Sequence, residues 1–398
     1  MSKIVVTGIG IISPIGNSVA ENHAALQAGK CGLTSLELFP TKYASLLKFG
    51  EIKISNEDFK HQLGVTTKGV TRTTLLALHA FQQAIADRGL TAEELQSSDT
   101  ALINGTTIGG MSESENLYQD ANFAQVGSEY ISSYNLGSVN MYIQQRYNIG
   151  GVVNMFNTAC SSSANAIAYG ARLINNGFAK RAIVGGTDSL AKFTINGFNS
   201  LGILSSTMCK PFDADRSGLN LGEGAAFLVL EKEEDAKSRK IYAEVSGWGN
   251  TNDAYHPSSL SDNGDGPYLA MQEALRVANL KPEQIGFINA HGTATENNDE
   301  KEGIGMKRLF EKVPAFASTK SNTGHTLGAA GAIEAVYCIL NLMHQEVYQN
   351  LRFEKPIEAT GLTPVTGYTK MNLEHVMSNS FGFGGNCSSL IFSKKTSS

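Results

Sequence analysis

The feature that most constrains the fold is internal repetition. Leu90-Thr-Ala-Glu93-Glu-Leu95 precedes a strand-like run ending Ile103-Asn104, and Leu280-Lys-Pro-Glu283-Gln-Ile285 precedes one ending Ile288-Asn289. Asn157-Thr158-Ala159-Cys160 opens a run of small residues, as does Asn322-Thr323-Gly324-His325. Gly222-Glu223-Gly224 and Gly382-Phe383-Gly384 each lead into an apolar strand. The landmarks recur in the same order, which short chance matches rarely do. The chain is therefore expected to be a duplicated fold, with similar halves at 1–240 and 241–398. They would meet in the charged stretch Glu231 to Lys240.

Each half alternates strand-like and helix-like segments. Val152 to Phe156, Ala182 to Val184, Ala226 to Leu230, Phe287 to Asn289 and Leu390 to Phe392 read as strands. Leu75, Leu78, Phe81 and Ile85 share one face of a helix. The alternation predicts an α/β class. A chain of 398 residues can bury two such cores.

A net charge of -5 argues against general nucleic-acid or anionic-membrane binding. The five cysteines are widely spaced and contain no CxxC pair, which fits a reducing cytoplasm and neither a disulfide framework nor a structural zinc site. The N-terminus has no signal-peptide pattern. No run of about 18 apolar residues is present, so no membrane span is expected.

Duplication has a chemical consequence. Cys160 and His325 occupy equivalent positions, each expected at the first turn of a buried helix of small residues. Pseudo-twofold packing would bring them together. A helix N-terminus favours thiolate, so Cys160 is expected to be unusually reactive. A free cysteine is more often a small buried hydrophobe; the histidine counterpart favours the reactive reading. His291 follows a strand in Asn289-Ala290-His291-Gly292-Thr293, where loops commonly carry catalytic groups. Glu334 lies inside the apolar run after His325 and needs a partner, for which Lys320 is the candidate. Phe381-Gly382-Phe383-Gly384-Gly385-Asn386 lacks the Lys and Ser/Thr of a phosphate loop. Its glycines suit backbone N–H groups approaching a carbonyl, with a Phe gating a pocket. The charge runs Glu233 to Asp235 and Asn297 to Glu302 read as solvated surface, and His79 as structural.

Taken together, these residues resemble the β-ketoacyl-acyl carrier protein synthases of the type II elongating group, over essentially the whole length. The matching motifs are Val-Val-Thr-Gly-Ile-Gly-Ile-Ile-Ser-Pro-Ile-Gly at 5–16, Thr-Ala-Cys-Ser-Ser-Ser at 158–163 and Lys-Pro-Phe-Asp-Ala-Asp-Arg-Ser-Gly at 210–218. Leu-Gly-Glu-Gly-Ala-Ala at 221–226, His-Gly-Thr-Ala-Thr at 291–295, Ser-Thr-Lys-Ser-Asn-Thr-Gly-His at 318–325 and Asn-Ser-Phe-Gly-Phe-Gly-Gly at 379–385 complete them.

The resemblance implies a thiolase-like fold, two α/β halves about a pseudo-twofold axis in αβαβα layers. It implies an acyltransferase that condenses malonyl-carrier with a chain held on Cys160, in fatty acid, polyketide or polyene elongation. His291 and His325 would serve decarboxylation and condensation, with Lys320 and Glu334 beside them. Phe383 would gate the acyl pocket in the loop that Phe381 opens, and its N–H would complete an oxyanion hole with that of Cys160. Thr293 and Thr295 would hold the pantetheine arm. No metal or cofactor is implied beyond phosphopantetheine on the acyl carrier protein. The partners implied are that carrier and a second chain, either a homodimer copy or a chain-length factor. Lys68, Arg72 and Lys210 are candidate carrier-docking cations.

Two departures stand out. Asn386-Cys387 replaces the usual Thr-Asn, and Glu296-Asn297-Asn298-Asp299 replaces a Pro-containing turn. This variant is similar to ketosynthases of aryl-polyene and flexirubin-type pigment pathways. A non-catalytic chain-length factor is the alternative reading, though such partners generally lose the nucleophile. A cysteine hydrolase fits less well, because neither histidine has an obvious triad orienter.

Overall fold

The computed structural model describes residues 2–113, 130–236 and 239–395. Positions 237 and 238 of the charged stretch between the halves lie outside them.

The strands are β1 (Ile4–Ile12), β2 (Thr100–Gly105), β3 (Val153–Phe156), β4 (Arg181–Asp188), β5 (Gly224–Lys232), β6 (Ala243–Asn252), β7 (Phe287–Asn289), β8 (Ala315–Ala317), β9 (Glu346–Val347), β10 (Thr369–Lys370), β11 (His375–Phe381) and β12 (Asn386–Ser393). β9 and β10 form a small separate pair. The other ten order as β3-β2-β4-β5-β1-β6-β12-β11-β7-β8.

This order is symmetric about its middle. Moving outward from β1, the neighbours are β5, β4, β2 and β3; from β6 they are β12, β11, β7 and β8. Pair orientations run antiparallel, antiparallel, parallel, parallel on both sides. Among the described residues, the strands of the two sets are joined through β1 and β6, at Val5↔Glu244 and Val6↔Ala243. The strand landmarks fall on their counterparts, with β2 matching β7 and β5 matching β12.

Two helices fill the space between the half-sheets. Ser162–Asn175 and Ala330–His344 pack on each other and on strands of both halves. Their small residues permit that approach. Arg72–Arg88 covers the outer face of β1 and β5, and Asp265–Ala278 covers β6 and β12. The result is the thiolase-like αβαβα layering. Glycine makes the outer contacts close: a Cβ at Gly10 would lie 2.1 Å from the Ala80 carbonyl, and one at Gly249 would lie 2.1 Å from that of Ala270. Leu327–His344 is the one described segment long and apolar enough to cross a membrane, and 89% of it is buried inside the protein.

Two expectations need correction. His325 does not open the long helix as Cys160 does. It lies between a short helix, Lys320–Thr323, and a 3-10 turn, Leu327–Ala329. Leu327 at φ 52° interrupts helical geometry there. The run Asn297 to Glu302 is not solvated charge, because Asp299 and Glu302 are fully buried.

Candidate active site

Cys160 precedes the helix Ser162–Asn175, and Ala159 before it takes φ 53°. That left-handed residue lifts the cysteine out of the helical path. His291 follows β7, and His325 follows the short helix 320–323. The reactive atoms of Cys160, His291 and His325 all lie within 4.8 Å of one another. The two rings meet edge to face at 5.3 Å. All three residues are buried and line one cavity of about 390 Å³.

Backbone contacts place the histidines. His325 donates its N–H to Asn220 O at 2.7 Å and accepts that of Gly222 at 2.9 Å, so the Leu-Gly-Glu-Gly segment holds it. Its Nδ1 accepts the Leu327 N–H at 3.2 Å. A neutral ring bonded this way carries its proton on Nε2, which becomes a donor. That Nε2 has no hydrogen-bond partner among the described residues. Glu302 accepts the N–H groups of His291 and Gly292, each at 2.9 Å, and so fixes the His291 loop. Asp299 likewise accepts from Phe212 and Ala294. Arg216 donates to the carbonyls of Thr295 and Glu296.

Electrostatics follow from burial. Both imidazoles are held well below the ordinary histidine range, by desolvation first and then by the Lys320 charge. They are neutral at pH 7. Lys320 pairs with Glu334, and both are buried. Glu334 and Glu302 are each pushed up to about 7 by burial, against the pull of their donors. Cys160 runs against expectation: burial pushes its thiol up to about 12, although Lys320 and the Phe383 N–H favour thiolate. Desolvation outweighs the helix end here.

The Gly-rich loop lines the cavity. A Cβ at Gly382 would sit 2.6 Å from Thr158 O, so only glycine lets the loop lie against the cysteine turn. Phe381 packs on His291 at 5.6 Å. Phe383 is 37% exposed and stacks on Phe198 at 5.7 Å. Thr293 and Thr295 share a hydroxyl contact of 2.9 Å and also line the cavity.

Sequence reasoning missed Phe198, Asp299, Glu302, the acceptor role of Asn386, and Asp188. Of the candidate docking cations, Lys68 is exposed, and Lys210 pairs with Glu354 at 2.9 Å. Arg72 is not a docking residue. It is buried and bonded to Glu223 through two contacts of 2.9 and 2.6 Å.

Comparison with known proteins agrees with this geometry. The β-ketoacyl synthase N-terminal domain matches residues 1–236, and the C-terminal domain matches 242–354. The chain is 35% identical to 3-oxoacyl-[acyl-carrier-protein] synthase 2 of Vibrio cholerae, covering 98% of this chain and 99% of that one. It is 33% identical to the mitochondrial 3-oxoacyl-[acyl-carrier-protein] synthase of Arabidopsis thaliana, covering 98% and 93%. Among solved structures, the ketosynthase ApeO in complex with its chain length factor ApeC from Xenorhabdus doucetiae matches with TM-score 0.88 and 32% identity, over 99% of this chain and 98% of that one. The ishigamide ketosynthase/chain length factor matches with TM-score 0.93 and 29% identity, over 99% and 100%. On motif, topology and site geometry alike, the chain belongs to the β-ketoacyl synthase family.

Proposed function

We propose that this acyltransferase is a β-ketoacyl-acyl carrier protein synthase that condenses malonyl-carrier with an acyl chain held on Cys160. The convergence of one sulfur and two neutral imidazoles within 4.8 Å, in the wall of one cavity, carries the reading.

Cys160 attacks the acyl thioester. The new carbon–sulfur bond forms, the carrier sulfur leaves, and the thiol proton of Cys160 balances that leaving thiolate. The N–H groups of Cys160 and Phe383 stabilise the tetrahedral oxyanion. Malonyl-carrier then enters with its pantetheine arm against Thr293 and Thr295. His291 and the Nε2–H of His325 hold the thioester oxygen. Loss of carbon dioxide leaves its electron pair on the α-carbon as an enolate, so no base for a C–H proton is needed. That carbon attacks the Cys160 thioester, the carbon–sulfur bond breaks, and the expelled thiolate takes up a proton from water, which restores the Cys160 thiol. Burial keeps the imidazoles neutral, and Lys320, balanced by Glu334, adds to it. Phe381 supports His291, and Phe383 gates the acyl side.

Both acyl groups arrive on the phosphopantetheine of an acyl carrier protein, and the steps use no metal or redox cofactor. The division at residue 240 separates a half carrying the cysteine from a half carrying both histidines. The protein works as a dimer, with itself or with a chain-length factor. The similarity to ApeO and the Asn386-Cys387 variation support an aryl-polyene type of elongation. The five unpaired cysteines suit a reducing cytoplasm.

The test is intact-mass analysis after incubation with an acyl-carrier, followed by malonyl-carrier. The wild type should gain the acyl mass on Cys160 and release a β-ketoacyl product. Cys160→Ala should do neither, and His325→Ala should load without condensing. Condensation by Cys160→Ala at the wild-type rate would overturn the assignment.

A further inference from the structure

Asp188 ends β4 behind the site and plays no part in the chemistry above. It is fully buried. Its carboxylate accepts the Thr106 hydroxyl at 2.5 Å, the N–H groups of Thr107 and Ile108 at 3.0 and 3.1 Å, and the Gly328 N–H at 2.7 Å. The first three donors belong to the loop after β2, in the first half. The fourth belongs to the turn after His325, in the second. A carboxylate taken out of water needs this many donors to stay charged.

Each reactive residue lies close to a non-glycine residue in the left-handed region, Ala159 at φ 53° directly before Cys160 and Leu327 at φ 52° two residues after His325. Such backbone costs roughly 1–2 kcal/mol per residue and persists only where surroundings enforce it. Asp188 reaches both. Thr107, whose N–H it accepts, donates its hydroxyl to Ala159 O at 3.4 Å. Gly328, whose N–H it also accepts, follows Leu327, the donor to His325 Nδ1. The approach is tight: a Cβ at Gly328 would lie 2.8 Å from both Asp188 Oδ2 and Thr107 Oγ1.

We propose that Asp188 is a positioning residue that ties the Cys160 turn to the His325 turn across the two halves. The inference rests on the ketosynthase reading. It has a signature that mere packing lacks, because the Asp188 charge also raises the Cys160 thiol. Asparagine keeps the shape but offers one acceptor oxygen and a donor in place of the other. Either Gly328 or the 106–108 loop then loses its acceptor, and the negative charge disappears.

The experiment compares wild type and Asp188→Asn in two assays: malonyl-carrier decarboxylation, and the pH dependence of Cys160 alkylation by iodoacetamide. Decarboxylation should fall about 10- to 100-fold, the scale of a misplaced catalytic group. The alkylation curve should move to lower pH, making the cysteine more reactive as turnover drops. Thr107→Val cuts only the link to Ala159; it should slow acyl loading and leave decarboxylation unchanged. Wild-type decarboxylation in Asp188→Asn would overturn the proposal. So would lower decarboxylation with an unmoved alkylation curve, or equal losses of both steps in Thr107→Val. Absence of acyl loading on Cys160 in the wild type would instead refute the ketosynthase reading.

Discussion

Lys320 and Glu334 form a buried ion pair whose cation acts on His291, His325 and Cys160 together. Removing one member strands the other charge, which costs about 3–5 kcal/mol in buried pairs, whereas replacing both with packed apolar residues is near neutral. Glu334→Leu alone should therefore lower urea-unfolding stability by about that amount. The double variant Lys320→Met/Glu334→Leu should recover most of the stability and none of the condensation. A double variant with wild-type turnover would show that the lysine charge is not needed. The pair also links stability to pH. Glu334 is raised from 4.5 to about 7, so the folded chain retains a proton that the unfolded chain releases. The contribution of that protonated carboxyl, as distinct from the ion pair, is complete below about pH 4.5 and fades as pH rises through 7.

Alkylation kinetics test the state of the resting nucleophile. With the Cys160 thiol raised to about 12, the thiolate is a minor species at neutral pH. The iodoacetamide rate should climb about tenfold per pH unit between pH 7 and 10 without a plateau. A plateau near pH 7 would mean that the helix end outweighs burial. Because both histidines are neutral far below pH 6.5, their protonation should cause no loss of decarboxylation between pH 8 and 6.5.

How much of this was legible depends on what the sequence periodicity encodes. The duplication, the α/β alternation and the strand at Phe287–Asn289 could be read directly, because repeated motifs and apolar runs are local signals. Cys160, His291, His325 and the Lys320–Glu334 pair could be singled out for the same reason. Asp188 and Phe198 could not: each acquires its role only from partners distant in sequence. Glu302 was misread, although a signal existed. Asp299, Glu302, Gly303 and Met306 follow helical spacing and form the buried face of the helix Glu296–Leu309. A carboxylate on the same face as a methionine is poorly explained by solvent. The thiol shift was misjudged because burial depth, unlike a helix start, has no local pattern.

The gate loop gives a third prediction. Asn386 Oδ1 accepts from Ser161 at 2.7 Å and from Asn165 and Asn250 at 2.9 Å each. One side chain thus pins the loop carrying Phe383 to the cysteine turn. Asn386→Ala removes one acceptor from each donor, while Ser161 and Asn165 keep Thr158 and Asn250 keeps Asn165 and Ser388, so the cost should be about 0.5–1.5 kcal/mol. Acyl loading should slow, and Asn386→Asp, which keeps the acceptor, should restore part of it. Equal loading rates in Asn386→Ala and the wild type would show that the loop is held without this contact.

Arg72 separates structural from docking cations. It spans Glu223 and the carbonyls of Ile52 and Ile54, and Glu223 accepts the N–H groups of Ile52 and Leu190. Arg72→Ala should cost about 3–5 kcal/mol of stability, because Glu223 would stay buried without its cation. Once folded, the variant should keep the wild-type salt dependence of KM for the acyl carrier. Lys68 is exposed and should behave oppositely. Lys68→Glu should leave unfolding within about 0.5 kcal/mol of wild type. It should raise KM for an acidic carrier, most strongly at low salt, where exposed charges steer encounter. Measuring KM at two ionic strengths beside a urea melt distinguishes the two roles. A KM defect in folded Arg72→Ala that vanished at high salt would return Arg72 to the docking surface, against its burial.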